Sequence, residues 1–259
     1  MGRRVRSGAS ELDFQMAVWM LERRSDLGPV IELLRALYGI IDDWTARYFM
    51  RKLEEQQKVR VWRVGRRNLY RPAGPLVADE VVLEKKRRQG AGWDGRWCLV
   101  TYDLPQQATT MRRRLIRSMR QVGLGELTQS TWISPYDWSA QVSADAETYQ
   151  AAEHLNWALG AHVILHGSPA EAVRDMWPLA ELADRYRQLR ERARSTPKSD
   201  LGQPALGNAL RIAKDWMAVE LDDPMLPAQL LPTDWPAAEA RSAIEELRRR
   251  VADALVPAS

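Results

Sequence analysis

Residues 58–71 read KVRVWRVGRRNLYR, and this stretch decides the fold of the N-terminal third. Apolar and basic residues alternate from Lys58 to Val64, as in a half-buried β-strand, and residues 65–68 supply a turn before residues 69–71 return. Helical patterns precede this hairpin at residues 11–22, at residues 30–37 and around Ala46, Met50 and Leu53. Three helices followed by a basic hairpin predict a winged helix-turn-helix, whose third helix would enter the major groove of DNA.

The positive charge of the chain is concentrated in this first third. Residues 1–92 hold 19 basic and 12 acidic side chains, residues 93–167 hold 6 and 7, and residues 168–259 hold 13 and 15, for a net charge of +4. The surplus of +7 therefore coincides with the predicted DNA-binding fold. This distribution favours double-stranded DNA as a partner.

Two sets of side chains are predicted to contact DNA. On the third helix, the 3.6-residue period points Arg47, Arg51 and Lys52 away from the core, and arginine suits guanine edges and phosphate oxygens. On the hairpin, no acid interrupts residues 59–76, and the predicted contacts are Arg63, Arg66, Arg67, Asn68, Tyr70 and Arg71. The alternatives are a solvated helix face and a hairpin edge that is basic for solubility. The N-terminal Arg3, Arg4 and Arg6 form a candidate minor-groove arm, with a disordered terminus as the alternative that we rank first.

The rest of the chain predicts two further domains in an α+β fold. Residues 93–167 follow the order βαββαβ of a ferredoxin-like domain, with strands at 96–103, 126–128, 131–134 and 162–165 and helices at 109–122 and 145–159. Residues 168–259 are helical at 169–194, 205–219 and 236–255. The predicted domains are a winged helix at 1–72, a linker or arm at 73–92, a ferredoxin-like dimerisation domain at 93–167 and a C-terminal helical domain at 168–259.

Composition and motifs favour a cytoplasmic protein that is not an enzyme. The apolar runs are far shorter than the roughly 20 residues of a membrane span, and no apolar signal core follows the basic N-terminus. The single cysteine, Cys98, disfavours a disulfide or a cysteine-based zinc site. The sequence contains no nucleotide-binding glycine loop, nucleophile elbow or HExxH motif. We therefore expect no cofactor and no metal.

Several motifs resemble those of the PaaX-type transcriptional repressors, which control aromatic-acid catabolism in bacteria. They are Trp93-Asp94-Gly95-Arg96-Trp97, Tyr102-Asp103-Leu104-Pro105, Arg112-Arg113-Arg114-Leu115, Trp132-Ile133-Ser134-Pro135 and the proline-rich segment from Asp223 to Pro236. The resemblance covers about residues 28–250. It implies a homodimer that represses a catabolic operon by binding a palindromic operator, and that is released by an aryl-CoA effector such as phenylacetyl-CoA. The third helix departs from the family pattern through bulky Trp44, Tyr48 and Phe49 and the acidic pairs at 42–43 and 54–55.

Two other functions stay open. The central domain resembles a small nuclease of CRISPR adaptation, which places a metal-binding aspartate where Asp103 stands, so a metal-dependent nuclease is the alternative. A regulator that acts through protein contacts is another. The histidines His154, His162 and His166 form only a weak metal pattern.

Two further clusters have more than one interpretation. The arginine-rich helix carries Arg112, Arg113, Arg114, Arg117 and Arg120, which would extend the DNA footprint, hold the phosphates of CoA or, as we rank first, pair with acids of the C-terminal domain. The tryptophans Trp177, Trp216 and Trp235 would line an aryl ligand or serve in packing.

Overall fold

The computed structural model describes residues 8–22, 24–74, 80–197 and 201–256. The candidate arm residues Arg3, Arg4 and Arg6 lie outside them. The fold is mixed α+β, which confirms the predicted class. The chain divides into a first unit of Met1–Ala78, Arg185–Ala218 and Pro236–Ser259 and a second unit of Asp79–Asp184 and Val219–Trp235. The C-terminal segment therefore contributes to both units, and the predicted domain boundaries stay predictions.

The described residues form the following elements in chain order. The helices are α1 (Glu11–Leu21), α2 (Leu27–Tyr38), α3 (Asp43–Glu55), α4 (Glu80–Ala91), α5 (Thr109–Gln121), α6 (Ser139–Thr148), α7 (Pro169–Met176), α8 (Leu179–Ser195), α9 (Gln203–Asp222) and α10 (Ala237–Leu255). The strands are β1 (Val59–Val64), β2 (Arg67–Pro72), β3 (Trp97–Tyr102), β4 (Gly125–Thr128), β5 (Thr131–Ser134) and β6 (Leu155–Ala161). Short 3-10 turns occur at Ala152–His154 and Ala228–Leu230. No helix in the described part of the chain is long and apolar enough to cross a membrane.

The three N-terminal helices form as the sequence predicts, each behind a side-chain cap. Ser10 and Asp13 make a reciprocal capping box at α1, and Asp26 accepts the Gly28 backbone N–H at α2. At α3, the Asp42 carboxylate accepts the Thr45 backbone N–H at 2.8 Å. Hydrogen bonds from the backbone and the side chain of Thr45 lower the pKa of the Asp42 carboxyl group.

The basic hairpin is confirmed, with a tighter turn than predicted. Strands β1 and β2 pair antiparallel from Val59 opposite Pro72 to Val64 opposite Arg67. The turn is therefore the pair Gly65 and Arg66, with Gly65 at a φ of 58° that favours glycine. Residues 67 and 68, which the sequence suggested for the turn, belong to β2.

The C-terminal helices supply the other half of the first unit. On α9, Lys214 forms an ion pair of 2.7 Å with the buried Asp13 of α1. Burial raises the pKa of Asp13, but hydrogen bonds from Lys214 and Ser10 outweigh it and hold the pKa below 3.8. On α10, Arg248 donates to the Trp19 carbonyl at 3.0 and 2.8 Å from Nε and Nη2. The three N-terminal helices thus share a core with the C-terminal ones.

The second unit contains an antiparallel sheet of order β4-β5-β3-β6 that is covered on both faces. On one face, Val100 and Trp132 pack with Leu115 of α5 and Val142 of α6. On the other face, Ile133 of β5 packs with buried side chains from the motif at 93–97, from α7 with the residue that follows it, and from the proline-rich segment; these are Trp97, Val173, Trp177, Leu226 and Leu230. The sequence motifs at 93–97 and 223–235 therefore act structurally, because they enclose this second sheet face.

The helix predicted at 145–159 and the strand predicted at 162–165 are wrong. Helix α6 spans Ser139–Thr148, and the edge strand is β6, Leu155–Ala161, paired with β3. The helix ends where Gln150 takes a φ of 57°. Leucine and alanine in residues 155–161 favour a helix locally, but pairing with a buried strand overrides that preference. His162 and His166 consequently follow the strand instead of lying on it.

One other element also differs from expectation. The single helix predicted at 169–194 is broken into α7 and α8, because Pro178 restricts Trp177 to an extended conformation.

The segment 73–92, for which the sequence suggested a helix or arm that leads to a linker, contains helix α4. Its basic run at 85–88 is largely engaged within the second unit: the buried Lys85 donates to the Asp223 carbonyl at 2.6 Å, and Lys86 pairs with Glu220 at 2.7 Å.

Candidate nucleic-acid interface

The outer face of the hairpin carries opposed arginines. Arg60 is directly opposite Arg71, and directly opposite residues of an antiparallel pair lie on the same face. Val59 and Tyr70 are buried on the other face. Like charges directly opposite destabilise a strand pair. This arrangement therefore indicates a surface suited to an external anion.

Four cations on this hairpin are exposed, and no ion pair to them exists within the described residues. We call them the hairpin arginines: Arg60, Arg66, Arg67 and Arg71. Two follow the outer strand face and two lie at or beside the turn. A guanidinium group can donate two parallel hydrogen bonds to phosphate oxygens. The hairpin arginines can therefore bind a nucleic-acid backbone without first breaking an internal ion pair.

The remaining polar side chains of the hairpin are already engaged. Arg63 lies 3.5 Å from Glu54 of α3, and the Asn68 amide donates to the Tyr70 hydroxyl at 3.5 Å. The Arg24 guanidinium lies over the Trp62 ring at 4.1 Å. Arg63 and Asn68 thus stand near the hairpin arginines with partners of their own.

Tyr70 does not lie where the sequence placed it. Its side chain is only 7 % exposed, and its backbone exchanges hydrogen bonds with Ser25, at 3.0 Å and 2.7 Å. The residue anchors β2 to the segment before α2. Tyr70 is paired with Val61, which lies two residues from the buried Val59 on the inward face of the hairpin, so the Tyr70 side chain also faces inward.

The exposed arginines of α3 are paired with acids on the same helix. Arg47 lies 3.9 Å from Asp43, and Arg51 lies 3.8 Å from Glu55. All four side chains are more than two-thirds exposed, so each pair contributes only about 0.2–0.5 kcal/mol. The two arginines face solvent as predicted, but their charge is locally cancelled.

Lys52 is directed to the side of α3 and contacts α1. Its ammonium lies 2.6 Å from the Glu11 carboxylate, which also accepts from Lys58 at 3.5 Å. The hydrogen bond with Glu11 raises the pKa of Lys52, and the same bond lowers the pKa of Glu11. The Lys52 side chain therefore links α3 to α1 through an ion pair. The sequence had suggested that it points outward from the core.

Sequence reasoning left out several residues of this surface. Arg60 and Trp62 lie on the same hairpin face as the chosen Arg67 and Arg71, so strand period together with the hairpin register could have identified them. Trp44 and Tyr48 are exposed on α3 with their rings 5.6 Å apart and nearly parallel, at 10°. Because residues four apart are neighbours on one face of a helix, the spacing of Trp44 and Tyr48 could have indicated this pair.

The other candidate sites do not gather into a reactive centre. Asp103 is exposed at the end of β3, and no group of three or more His, Cys, Asp or Glu side chains in the described ranges could hold a metal ion. His154 lies in a 3-10 turn, 3.8 Å from Glu153. Burial raises the pKa of the Cys98 thiol to about 11, which keeps it protonated.

The arginine-rich helix α5 has local partners only in part. Arg112 donates to the Leu104 carbonyl at 3.1 Å, and Arg120 pairs with Glu126 at 3.3 Å. Arg113 and Arg117 are exposed and have no ion pair in the described part of the chain. None of the ion pairs found for α5 in that part reaches the C-terminal segment, which was the partner ranked first.

The three C-terminal tryptophans are divided between two cores. Trp177 is buried in the second unit and donates to the Gly123 carbonyl at 3.0 Å, and Trp235 packs against the same core. Trp216 lies in the first unit with its ring 5.9 Å from that of Tyr186. They therefore serve in packing and do not form one aromatic wall.

Comparisons with known proteins agree with these observations. A solved structure, the uncharacterized protein Rv0674 from Mycobacterium tuberculosis, is similar with a TM-score of 0.55 and 22% identity over 86% of this chain and 87% of that one, which shows the fold. No curated protein matches the sequence significantly. The family model described as the PaaX protein central Cas2-like domain matches residues 90–173, and that of the PaaX-like protein C-terminal domain matches residues 177–255. Since these two models together span well over half of the 259 residues, the chain belongs to the PaaX family.

Proposed function

We propose that this protein is a transcriptional regulator that binds double-stranded DNA through a winged helix-turn-helix in its first unit. The family is generally regulatory, and the chain carries three capped helices followed by a hairpin, as that architecture requires. Helix α3 would lie in the major groove while the hairpin lies along the backbone. The observation that carries the proposal is the set of four exposed hairpin arginines without an ion pair in the described residues.

The finer proposal is a cytoplasmic homodimer that represses a catabolic operon. Helix α3 on each protomer would read one half of a palindromic operator. The second unit would act as a ferredoxin-like dimerisation domain, supported by its antiparallel order β4-β5-β3-β6 and its βαββαβ succession. An aryl-CoA such as phenylacetyl-CoA would release the repressor by binding its DNA-incompetent form more tightly.

The DNA-binding step is tested by the salt dependence of binding to a random-sequence duplex, measured by fluorescence anisotropy. The double variant Arg66→Ala/Arg67→Ala should flatten the slope of log K against log salt by about 0.9 for each phosphate that the protein no longer neutralises, or about 2 in total. The matched control, Arg113→Ala/Arg117→Ala, removes the same charge from α5 and should leave the slope unchanged. An equal change of slope in both variants would contradict a specific role for the hairpin.

The effector step is tested by thermal unfolding against a panel of acyl-CoA esters. A ligand at 100 times its Kd should stabilise the protein by about 2.7 kcal/mol, and it should also displace DNA. Stabilisation without displacement would contradict release by the ligand.

The nuclease alternative is not favoured, because Asp103 has no neighbouring ligand set in the described residues. Mg²⁺-dependent cleavage of DNA that disappears in Asp103→Ala would reverse this judgement.

A further inference from the structure

Helix α3 presents an aromatic pair on its solvent face. Trp44 is 60 % exposed and Tyr48 is 41 % exposed, whereas Ala46, Met50 and Leu53 on the opposite side are fully buried. The two rings stack almost parallel, with centroids 5.6 Å apart. Together they expose aromatic surface where a solvated helix normally carries polar groups.

The charges around this pair cancel within the helix. On the same exposed side of the helix, Asp43 pairs with Arg47, and Arg51 pairs with Glu55. Each arginine gives up only a weak, exposed ion pair when it contacts a base. The aromatic rings are the groups on this face that can contact an apolar target directly.

The place of the pair on the helix limits what it would contact. Trp44 and Tyr48 are the second and sixth residues of the 13-residue α3, and N-terminal residues of a reading helix contact base edges. The hairpin arginines supply cations for the phosphates on the same unit. In the major groove, the apolar group on a base edge is the C5-methyl group of thymine, and 5-methylcytosine carries the same group.

We propose that Trp44 and Tyr48 form a specificity surface that recognises the C5-methyl groups of pyrimidines in the major groove. This inference rests on the proposed DNA-binding function and adds the chemistry of base selection to it. The group that would contact this surface is the methyl-bearing edge of a pyrimidine base. A second copy of the chain on this surface is an outcome of the test.

The test begins with duplexes selected from a random pool by the intact chain. Affinity is then measured after each thymine is replaced by uracil, which removes only the methyl group, and after each cytosine is replaced by 5-methylcytosine, which adds it. The proteins are the wild type, Trp44→Ala and Tyr48→Ala. The control is Ile164→Ala, which removes a fully exposed apolar side chain in the second unit. Thermal unfolding checks that each variant is folded.

The wild type and the control should bind about fourfold more weakly for each contacted methyl group that uracil removes. Trp44→Ala and Tyr48→Ala should bind the thymine and uracil duplexes equally at those positions. A loss of affinity with uracil identifies thymine as the source of the methyl group, and a gain with 5-methylcytosine identifies the methylated cytosine.

Two results overturn the inference alone: wild-type binding that ignores both methyl changes, or aromatic variants that respond to uracil as the wild type does. A change of oligomeric state in Trp44→Ala with no methyl dependence would assign the surface to contact between copies and also overturn it. Absence of salt-dependent binding to any duplex would instead overturn the proposed function, and this inference with it.

Discussion

Gly207→Ala tests the close contact between α9 and α2 of the first unit. A Cβ atom at position 207 would lie 2.5 Å from the carbonyl oxygen of Ala36 in α2 and 3.2 Å from its carbonyl carbon. Backbone atoms cannot rotate aside, so the overlap should cost about 3 kcal/mol, the upper end of the usual range for overpacking. Alanine's better helix propensity returns about 1 kcal/mol. The expected net decrease in stability is therefore about 2 kcal/mol.

Thermal unfolding followed by circular dichroism measures this decrease. At about 2–4 °C for each kcal/mol in a chain of this size, Gly207→Ala should lower the Tm by about 4–8 °C. The matched control is Gly90→Ala, because a Cβ atom at this α4 position meets nothing within 4 Å. The control should raise stability by about 0.5–1 kcal/mol through helix propensity. A Gly207→Ala protein whose Tm rises with the control would refute the close approach of α9 to α2.

Three other substitutions test separate parts of the structure. Gly125→Ala places a Cβ atom 2.6 Å from the Trp177 ring, so stability measured by urea unfolding should fall by about 1–3 kcal/mol, and an unchanged midpoint would contradict this packing. Hydrogen bonds from its two arginine partners lower the pKa of Glu84 to about 2, so its stabilising contribution is complete above pH 4.5 and is lost as the pH falls from 4.5 towards 2. Glu84→Gln should flatten the fall of Tm over that range, and a parallel curve would argue against the ion pairs. Asp43→Asn and Glu55→Gln should each free an arginine of α3 and strengthen DNA binding about twofold, measured by anisotropy, whereas weaker binding would show that these acids contact DNA favourably.

Local signals were sufficient to predict much of the first unit. Helical periodicity identified the three N-terminal helices, and strand alternation identified the hairpin. The same alternation, applied to inward and outward faces, places Tyr70 beside Val59 in the core. The prediction was therefore right about strand β2 and wrong about the face on which the Tyr70 side chain lies.

Long-range contacts account for the features that the sequence did not reveal. The segment 155–161 becomes a strand because β3 offers it a partner, which no local propensity encodes. Lys52 does not take the outward role because Glu11, which is 41 residues earlier in the sequence, lies 2.6 Å away. Likewise, nothing in residues 11–38 indicates that α9 and α10 complete their core. Such pairings depend on tertiary structure and could not be predicted from spacing alone.

The surplus of +7 in residues 1–92 overstates the charge available to DNA. Among the described residues of this segment, Lys52 and Lys58 share Glu11, three arginines pair with acids of their own surface, and the basic run at 85–88 is largely engaged in the second unit. Two more arginines there are engaged by a tryptophan ring and by a backbone carbonyl. The described cations of the segment without any of these partners are the four hairpin arginines. Four phosphate contacts in total correspond to a log–log salt slope of about −3.6. A much steeper slope would require further cations, such as the exposed Arg194 and Arg211 of the first unit or Arg113 and Arg117 on α5, and charge-removing variants at these two pairs would show which unit supplies them.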